Sequence, residues 1–392
     1  MADCHIGGWR DPKLNNLNTE AFQAAVNISI QEKVDFILIG GDLFNTALPG
    51  IDKLKDVVIK FKELKDLGIP IYLIPGSHDF SPSGKTMLDV LEEAGLCINV
   101  VKGSIAENKK LKLLFTVDEK TGAKITGLLG RRGMLEKTYY SELDRESLEN
   151  EAGFKIFLFH TALDELKPKS MANIEASPIS LLPKGFDYYA GGHVHIVEKK
   201  DLPGYRNVIY PGPLFPNNFH ELEELKGGGF FIYTEGEIIR KTIVLKEILC
   251  VKIDCNHKNP QQITSELMEF LIRNELSVKI VMIRLFGQID GKISDIDFKR
   301  MNEYAYEKGA YYFMRNTSSL SSKEFEEVKI ETSKNVEEDL IEEHTGTFFY
   351  KDKEKQMIKD LMMILSSERK DGEKVYEYES RISEELSRLI TI

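Results

Sequence analysis

Nowhere in its 392 residues does this chain hold an apolar run near the roughly 18 residues that span a bilayer. Its opening, Met1-Ala2-Asp3-Cys4-His5, lacks both the basic and the apolar stretch of a secretory leader. Cysteine is scarce. Cys4, Cys97, Cys250 and Cys255 form no Cys-x-x-Cys pair and read as reduced thiols of a cytosolic protein. Positive charge is also short, with 52 basic residues against 63 acidic ones and a net charge of −11. That balance argues against passive, charge-driven attraction to nucleic acid, so any such contact has to come from a local basic groove or a metal centre. There is a single tryptophan, Trp9, and no internal repeat. What remains is an ordinary soluble composition, 42% hydrophobic and 29% charged, in a chain long enough for two or three compact units.

The first half alternates strand and helix signals. Asn18 to Glu32 carries Phe22, Ala25, Val26 and Ile30 at helical spacing. Val34 to Ile39 is a short apolar run that feeds a Gly-Gly turn at Gly40 and Gly41. Ile51 to Leu67 repeats the helical pattern and is closed by Gly68. Ile69 to Ile74 predicts a strand, Met87 to Ala94 a helix, and Phe154 to Phe159 and Phe186 to Ala190 two further strands. This alternation predicts parallel strands covered by helices, an α/β class. Val208 to Tyr210 and Gly229 to Tyr233 look like hairpin strands, with Glu235-Gly236 as a turn. After Leu245 the texture changes to a small α+β pattern: strands at Ile248 to Ile253 and Val278 to Phe286 and a helix near Ile263 to Asn274. Ser321 to Glu343 reads as a charged linker. Lys351 to Ile390 reads as two amphipathic helices broken near Asp371-Gly372. Residues 331–392 hold 16 acidic against 10 basic residues and supply −6 of the net charge.

Polar motifs recur at the ends of the apolar runs. They are Asp3-x-His5, Gly41-Asp42, Gly76-Ser77-His78-Asp79, His160 and Gly192-His193-Val194-His195. Each alone has an ordinary reading as a turn or a polar surface pair. Together, in order and each after an apolar strand, they predict one rim of Asp and His donors at the carboxyl edge of a sheet. Residues two apart on an extended chain project from one face, so Asp-x-His and His-x-His each offer two ligands to one cavity. Imidazole mixed with carboxylate suits Mn²⁺, Fe²⁺ or Zn²⁺ better than the oxygen-seeking Mg²⁺ or Ca²⁺. A metal pair about 3.5–4 Å apart needs a shared carboxylate. Asp42 suits that place, above glycines that allow a sharp turn. His78, beside the metals and not on them, suits transition-state stabilisation or protonation of a leaving oxygen.

These motifs resemble those of the calcineurin-like metallophosphoesterases, D-x-H, G-D, G-N-H-D/E, H and G-H-x-H, over residues 1 to about 245. The wording is more specific at Ala2-Asp3-Cys4-His5-Ile6-Gly7, at Asp35 to Phe44 (DFILIGGDLF), at Tyr188 to His195 (YYAGGHVH) and at Tyr210-Pro211-Gly212. There it is similar to SbcD and the Mre-eleven nucleases, archaeal members above all. The resemblance implies a metallophosphoesterase β-sandwich flanked by helices (αββα) over 1–245. It implies a small α+β capping domain over 246–330, and over 331–392 a linker with a C-terminal helical pair that binds an SMC-like coiled-coil ATPase. It implies a DNA exonuclease and endonuclease acting at DNA ends in double-strand-break repair, a homodimer through N-terminal helices, and a cytoplasmic, nucleoid-associated location. Two Mn²⁺ ions are implied, with Mg²⁺, Fe²⁺ or Zn²⁺ as alternatives. Carried over by position, Asp3, His5, Asp42 and His195 hold one ion. Asp42, His160, His193 and position 77 hold the other, and His78 is the catalytic histidine.

The chain departs from that pattern in four places. Ser77 stands where the family has Asn, and a hydroxyl is a shorter, weaker ligand than an amide carbonyl. The family has an apolar strand of about six residues before Asp-x-His, whereas Asp3 is the third residue here; either the recorded start is truncated or that strand is missing. Loss of that strand is expected to leave Asp3 and His5 on an untethered, fraying terminus. Pro213 replaces the Ser of Y-P-G-S, and Asn45 replaces a helper histidine. Two other readings follow. One is a catalytically impaired dimeric scaffold that binds DNA and the ATPase. The other is a different calcineurin-like phosphodiesterase or protein phosphatase, against which the extra region after Leu245 counts. Arg10, Lys13, Lys85, Arg131, Arg132 and a base-stacking Trp9 are the candidate DNA contacts, and a solvated surface role suits any one of them better. The apolar stripes Met357, Ile358, Leu361, Met362, Leu365 and Ile382, Leu386, Leu389, Ile390 fit an adaptable partner-binding face.

Overall fold

The computed structural model describes residues 1–81, 86–106, 110–131, 136–168, 171, 174–322, 354–367 and 375–390. The first helix, α1 (Pro12–Gln31), starts earlier than its apolar spacing predicts. Asp11 caps it by accepting the Lys13 N–H, and Pro12 presets the backbone of the first turn. The next elements are β1 (Ile37–Ile39), α2 (Ile51–Asp66), β2 (Ile71–Leu73), α3 (Met87–Glu93) and β3 (Ile98–Asn99). A capping box between Thr86 and Asp89 starts α3. β1, β2 and β3 form a parallel sheet in that order, with Ile37 opposite Ile71 and Tyr72 opposite Ile98.

A small hairpin, β4 (Gly103–Ile105) with β5 (Leu111–Leu113), leads into β6 (Thr116–Val117) and β7 (Lys124–Gly127). The short helices α4 (Lys137–Ser141) and α5 (Arg145–Glu149) precede β8 (Lys155–His160), β9 (Tyr188–Gly192), β10 (Val197–Leu202) and β11 (Tyr205–Pro211). Six of these strands make the second sheet, in the order β10-β11-β9-β8-β7-β6, parallel from β11 to β7 and antiparallel at both edges. Helix α6 (Phe219–Leu225) and the hairpin β12 (Gly228–Thr234) and β13 (Glu237–Ile243) follow. Glu235 and Gly236 turn that hairpin with φ of 50° and 88°, the left-handed pair that matches the twist of its strands.

Three buried clusters show why these pieces stack. Tyr72, Ile74 and Val100 from the first sheet meet Ile156, Leu158, Tyr188 and Ile209 from the second, which is the sandwich core. Leu17, Phe22, Val57 and Phe61 bury the faces of α1 and α2 on the first sheet. Tyr140, Leu148, Phe157 and Tyr189 fill the outer side of the second. Each fully buried side chain of this kind contributes about 1.5–3 kcal/mol of burial. The result is the helix–sheet–sheet–helix arrangement that the family resemblance implied.

The start of the chain is not frayed, which corrects the expectation above. Met1 to Ile6 runs parallel to the end of β1. Gly40 N–H donates to Met1 O, the Met1 amine to Leu38 O, His5 N–H to Asp42 O and Ile6 N–H to Leu43 O. Backbone pairing holds Asp3 and His5 at 1% and 2% exposure.

Beyond β13 lie β14 (Ile248–Asp254), α7 (Pro260–Arg273), β15 (Ile280–Ile289), α8 (Phe298–Glu307) and β16 (Tyr312–Ser322), with the sheet order β14-β15-β16. By contacts, one compact unit takes Met1–Ile253, Leu267–Arg284 and Phe298–Thr317; the other takes Asp254–Glu266, Leu285–Asp297 and Ser318–Ile392. In the second unit Asn256 Oδ1 accepts the Gln288 N–H and Ser322 Oγ donates to Gly291 O. Two helices, Glu354–Leu365 and Val375–Ile390, belong to that unit and pack on each other, and Tyr378 Oη donates to Ser367 O. Met357, Leu361, Ile382 and Leu386 are half-buried, whereas Leu365 is exposed. The linker from residue 323 to 343, the break at Asp371-Gly372 and the side chains of Ile358, Met362, Leu389 and Ile390 lie outside the described residues. Among the described residues no helix is long and apolar enough to cross a membrane.

Candidate metal centre

Four strand ends and the paired N-terminal segment deliver the polar motifs to one place. Asp3 and His5 lie on the segment beside β1, and Asp42 follows β1. Ser77 and His78 follow β2, His160 is the last residue of β8, and His193 and His195 follow β9. Donor atoms of Asp3, His5 and His195 lie within 4.8 Å of one another. So do those of Asp3, Asp42 and His160, and those of His5, Asp42 and His78. Ser77 Oγ is 3.4 Å from Asp42 Oδ2, and the ring of His193 sits 5.1 Å from that of His160, centroid to centroid. Among the described residues the three-donor clusters at this site do not take in His193.

The residues converge for a different reason than strand alternation. Asp3, His5, Asp42, His193 and His195 have φ of 50°, 43°, 53°, 102° and 52°, so they sit in left-handed turns and not on an extended chain. Side chains other than glycine adopt that region at a cost of roughly 1–2 kcal/mol each. Glycines make the room. Gly41 itself has φ of 92°, and a Cβ there would strike the His160 ring; a Cβ on Gly76 would overlap the Asp42 carboxylate.

Hydrogen bonds fix which nitrogen of each ring faces inward. His160 Nδ1 is 2.8 Å from Gly40 O, so Nδ1 donates and Nε2 presents its lone pair. That buried Nε2 is 3.2 Å from Asp42 Oδ2 but off the line of a hydrogen bond. His195 Nδ1 donates to Glu221 Oε1 at 2.9 Å, and His5 Nδ1 to Asn45 Oδ1 at 3.2 Å. Their Nε2 atoms face each other at 2.9 Å. Two such nitrogens need a proton or a cation between them. His78 Nδ1 donates to Asn45 O at 2.8 Å, and its backbone N–H donates to Asp42 Oδ1 at 2.8 Å.

The electrostatics follow from burial and crowding. Burial, then the neighbouring His195, pushes His5 down to about 3; burial and His160 push His193 down to about 4. Burial works against a charged His160, yet the Asp42 carboxylate raises it to about 10. Burial likewise opposes charge on His195, and the bond to Glu221 raises it to about 9. Asp42 is held well below the usual carboxylate range, because His160, His5 and the His78 amide outweigh its burial. Asp3 is raised, chiefly by burial. Asp79 rises to about 7, through burial and then the charge of Asp42, although it accepts the N–H groups of Leu43, Phe44 and Gly76.

These residues fit a divalent metal pair. The donors are imidazole nitrogen and carboxylate oxygen, their lone pairs converge, and Asp42 Oδ2 lies 3.5 Å from His5 Nε2 as well as 3.2 Å from His160 Nε2. A model of the calcineurin-like phosphoesterases matches residues 1–197, the half of the chain that holds every one of these residues. The chain belongs to this family. Among its relatives, the DNA double-strand break repair protein Mre11 of Archaeoglobus fulgidus is 24% identical over 352 residues, 84% of this chain and 75% of that protein. The protein of the same name from Methanopyrus kandleri is 28% identical over 248 residues, 59% of this chain and 52% of that protein. A solved structure, TT1561 of Thermus thermophilus, aligns over 57% of this chain and 92% of its own at 16% identity, with a TM-score of 0.37.

Two contributors to this phosphoesterase site escaped sequence reasoning: Glu221 orients His195, and Asp79 ties the loop after β1 to the loop after β2. Asn45, noted in the place of a helper histidine, orients both His5 and His78. Asp79 stood inside a motif already noted. Asn218 and Glu221 carry the three-residue spacing of a helix cap, the signal that marked their place. Trp9 spends its indole N–H on Pro216 O, and Arg131 stacks on Phe80 and donates to Tyr139 Oη. Arg10 is exposed, and Lys13 reaches Tyr311 O. Lys85 and Arg132 lie outside the described residues.

Proposed function

We propose that this phosphoesterase is a metal-dependent nuclease that hydrolyses phosphodiesters at DNA ends through a two-metal mechanism. The observation that carries the reading is the shared carboxylate: Asp42 stands between a His5 side and a His160 side of one rim. Asp3, His5, Asp42 and His195 hold one ion, and Asp42, His160, His193 and Ser77 the other, with Mn²⁺ the preferred metal. Two bound ions would acidify a water and offset charge on the phosphoryl oxygens. The protein fixes the donors and holds the Nδ1 proton of His5, His160 and His195 on Asn45, Gly40 and Glu221. His78 donates its Nδ1–H to Asn45 O, so in the doubly protonated ring Nε2–H would be the proton given to the departing oxygen, leaving the neutral Nδ1–H ring.

The names of the archaeal relatives support DNA repair as the setting. The domain limits 1–245, 246–330 and 331–392, an SMC-like ATPase partner for the C-terminal helices, a homodimer and a cytoplasmic, nucleoid-associated location belong to the same proposal. The test is release of nucleotides from linear duplex DNA with Mn²⁺, beside hydrolysis of bis-p-nitrophenyl phosphate. The reading expects both activities, and loss of both in Asp42→Asn. Hydrolysis of the small diester alone would leave a different phosphodiesterase.

One observation favours a second reading, an impaired scaffold. The Ser77 hydroxyl turns to Asp42 and offers no amide oxygen to an ion. Ser77→Asn is expected to tighten Mn²⁺ binding, and an unchanged titration would count against Ser77 as a ligand position.

A further inference from the structure

The His195 ring is aimed from outside the rim. Its Nδ1–H donates to Glu221 Oε1 at 2.9 Å, and that carboxylate is itself immobilised. Glu221 Oε2 accepts the Asn217 N–H at 2.8 Å, and Oε1 also accepts Asn218 Nδ2–H at 2.5 Å. Asn218 Oδ1 in turn accepts the Glu221 N–H at 2.9 Å and caps α6, so the helix start and the carboxylate lock each other. Asn217 is held from its other side, because its Oδ1 accepts Asn18 Nδ2–H from α1 at 2.7 Å. The Glu221 side chain is 14% exposed, sheltered enough for its charge to act on the ring at short range.

We propose that Glu221 is a positioning residue of the metal centre, a carboxylate that sets the tautomer, angle and basicity of His195 from its far nitrogen. The inference rests on the reading of His195 as a ligand. A carboxylate accepts only, so the proton stays on Nδ1 and the Nε2 lone pair is directed toward Asp3 and His5. Glu221 also makes that lone pair a stronger donor, because the carboxylate offsets charge drawn from the ring. Partners of this kind typically carry about 10–100-fold of metal affinity. The effect is local. Among the described residues no bond joins Glu221 to His160, which has its own orienting acceptor in Gly40 O.

The experiment is Mn²⁺ binding to the full chain, by calorimetry and by the electron paramagnetic resonance signal of free Mn²⁺, for wild type, Glu221→Ala, Glu221→Gln and Leu222→Ala. Leu222 is a buried apolar residue of α6 and reports what loosening that helix does by itself. Wild type is expected to bind two ions. Glu221→Ala should weaken one of them about 10–100-fold and leave the other within about twofold. Glu221→Gln keeps an acceptor for Nδ1–H and should recover most of the loss. Leu222→Ala should lower the melting temperature with both affinities kept. In metal-free protein held at a pH above about 9, where the ring is neutral, ¹⁵N resonances of His195 should report the Nδ1–H tautomer in wild type and a mixture in Glu221→Ala. Equal weakening of both ions, or a Leu222→Ala variant that matches Glu221→Ala, would reduce Glu221 to a helix cap and overturn the proposal. A wild-type chain that binds no Mn²⁺ with an unaltered fold would instead overturn the metal reading beneath it.

Discussion

At the scale of single residues, the centre depends on small groups as much as on its donors. Gly76→Ala puts a methyl group where the Asp42 carboxylate lies, so the side chain or the loop has to move. The expected outcome is loss of Mn²⁺ binding at the shared carboxylate, with about 1–3 kcal/mol of overpacking strain, read by calorimetry and thermal melts. Glu223 offers a pH test away from the centre. Its carboxylate takes paired bonds from Arg284 at 2.9 and 3.0 Å and has Lys252 at 3.4 Å. Burial opposes the charge, but these partners hold its pKa below the ordinary value. Its contribution is therefore present above the unfolded value of about 4.3 and fades as pH falls through the lower folded value. Glu223→Gln should cost about 3 kcal/mol at pH 7, and the gap from wild type in urea melts should narrow below about pH 4. The converging Asp and His side chains stood out in the sequence because most lie in short polar motifs after apolar runs, and Asp3 and His5, which follow no such run, because of their Asp-x-His spacing. Glu221 did not, since it acts on a ring 26 positions away and only the fold measures that distance.

At the scale of elements, strong apolar periods were readable and weak ones were not. The α2 pattern predicted 51 to 67, and the helix is Ile51–Asp66. The start of α1 was missed, although Asp11-Pro12 is a cap followed by a first-turn proline. From β3 to β7 the strands have two to four residues, too few for a period to register, and tertiary pairing makes them. The Asp-x-His argument reached the right place by the wrong geometry, since left-handed turns converge what alternation was expected to converge. Packing of α1 on α2 gives a direct test. The Phe22 and Phe61 rings sit 6.1 Å apart, and both side chains are fully buried. Phe61→Ala should destabilise the protein by about 3–5 kcal/mol in denaturant titrations, with the Mn²⁺ stoichiometry of the folded fraction unchanged.

At the scale of the whole molecule, net charge sets the terms of substrate binding. A chain of −11 repels a polyanion at long range, and more than half of that excess sits in residues 331–392. Duplex DNA is therefore expected to bind the protein weakly in chelator and more tightly with Mn²⁺, as read by fluorescence anisotropy at fixed ionic strength. Equal binding in both conditions would place the contact on side chains away from the centre. Parallel strands covered by helices were legible from the alternation of apolar runs, whereas the sandwich came only with the family resemblance. The register of its two sheets was not legible, because pairing between strands far apart in the chain leaves no local mark.

Five of the eleven non-glycine residues with positive φ among those described are Asp3, His5, Asp42, His193 and His195. A denatured chain rarely visits that conformation at five positions together, so the chelating pocket exists only once the protein has folded. Mass action then ties thermal endurance to ion supply: at about a hundredfold excess over its dissociation constant, one ion adds about 2.7 kcal/mol to the native state. Dialysis against EDTA should lower the melting temperature, and restoring Mn²⁺ should return it, although the hydrophobic clusters that build the sandwich stay as they were.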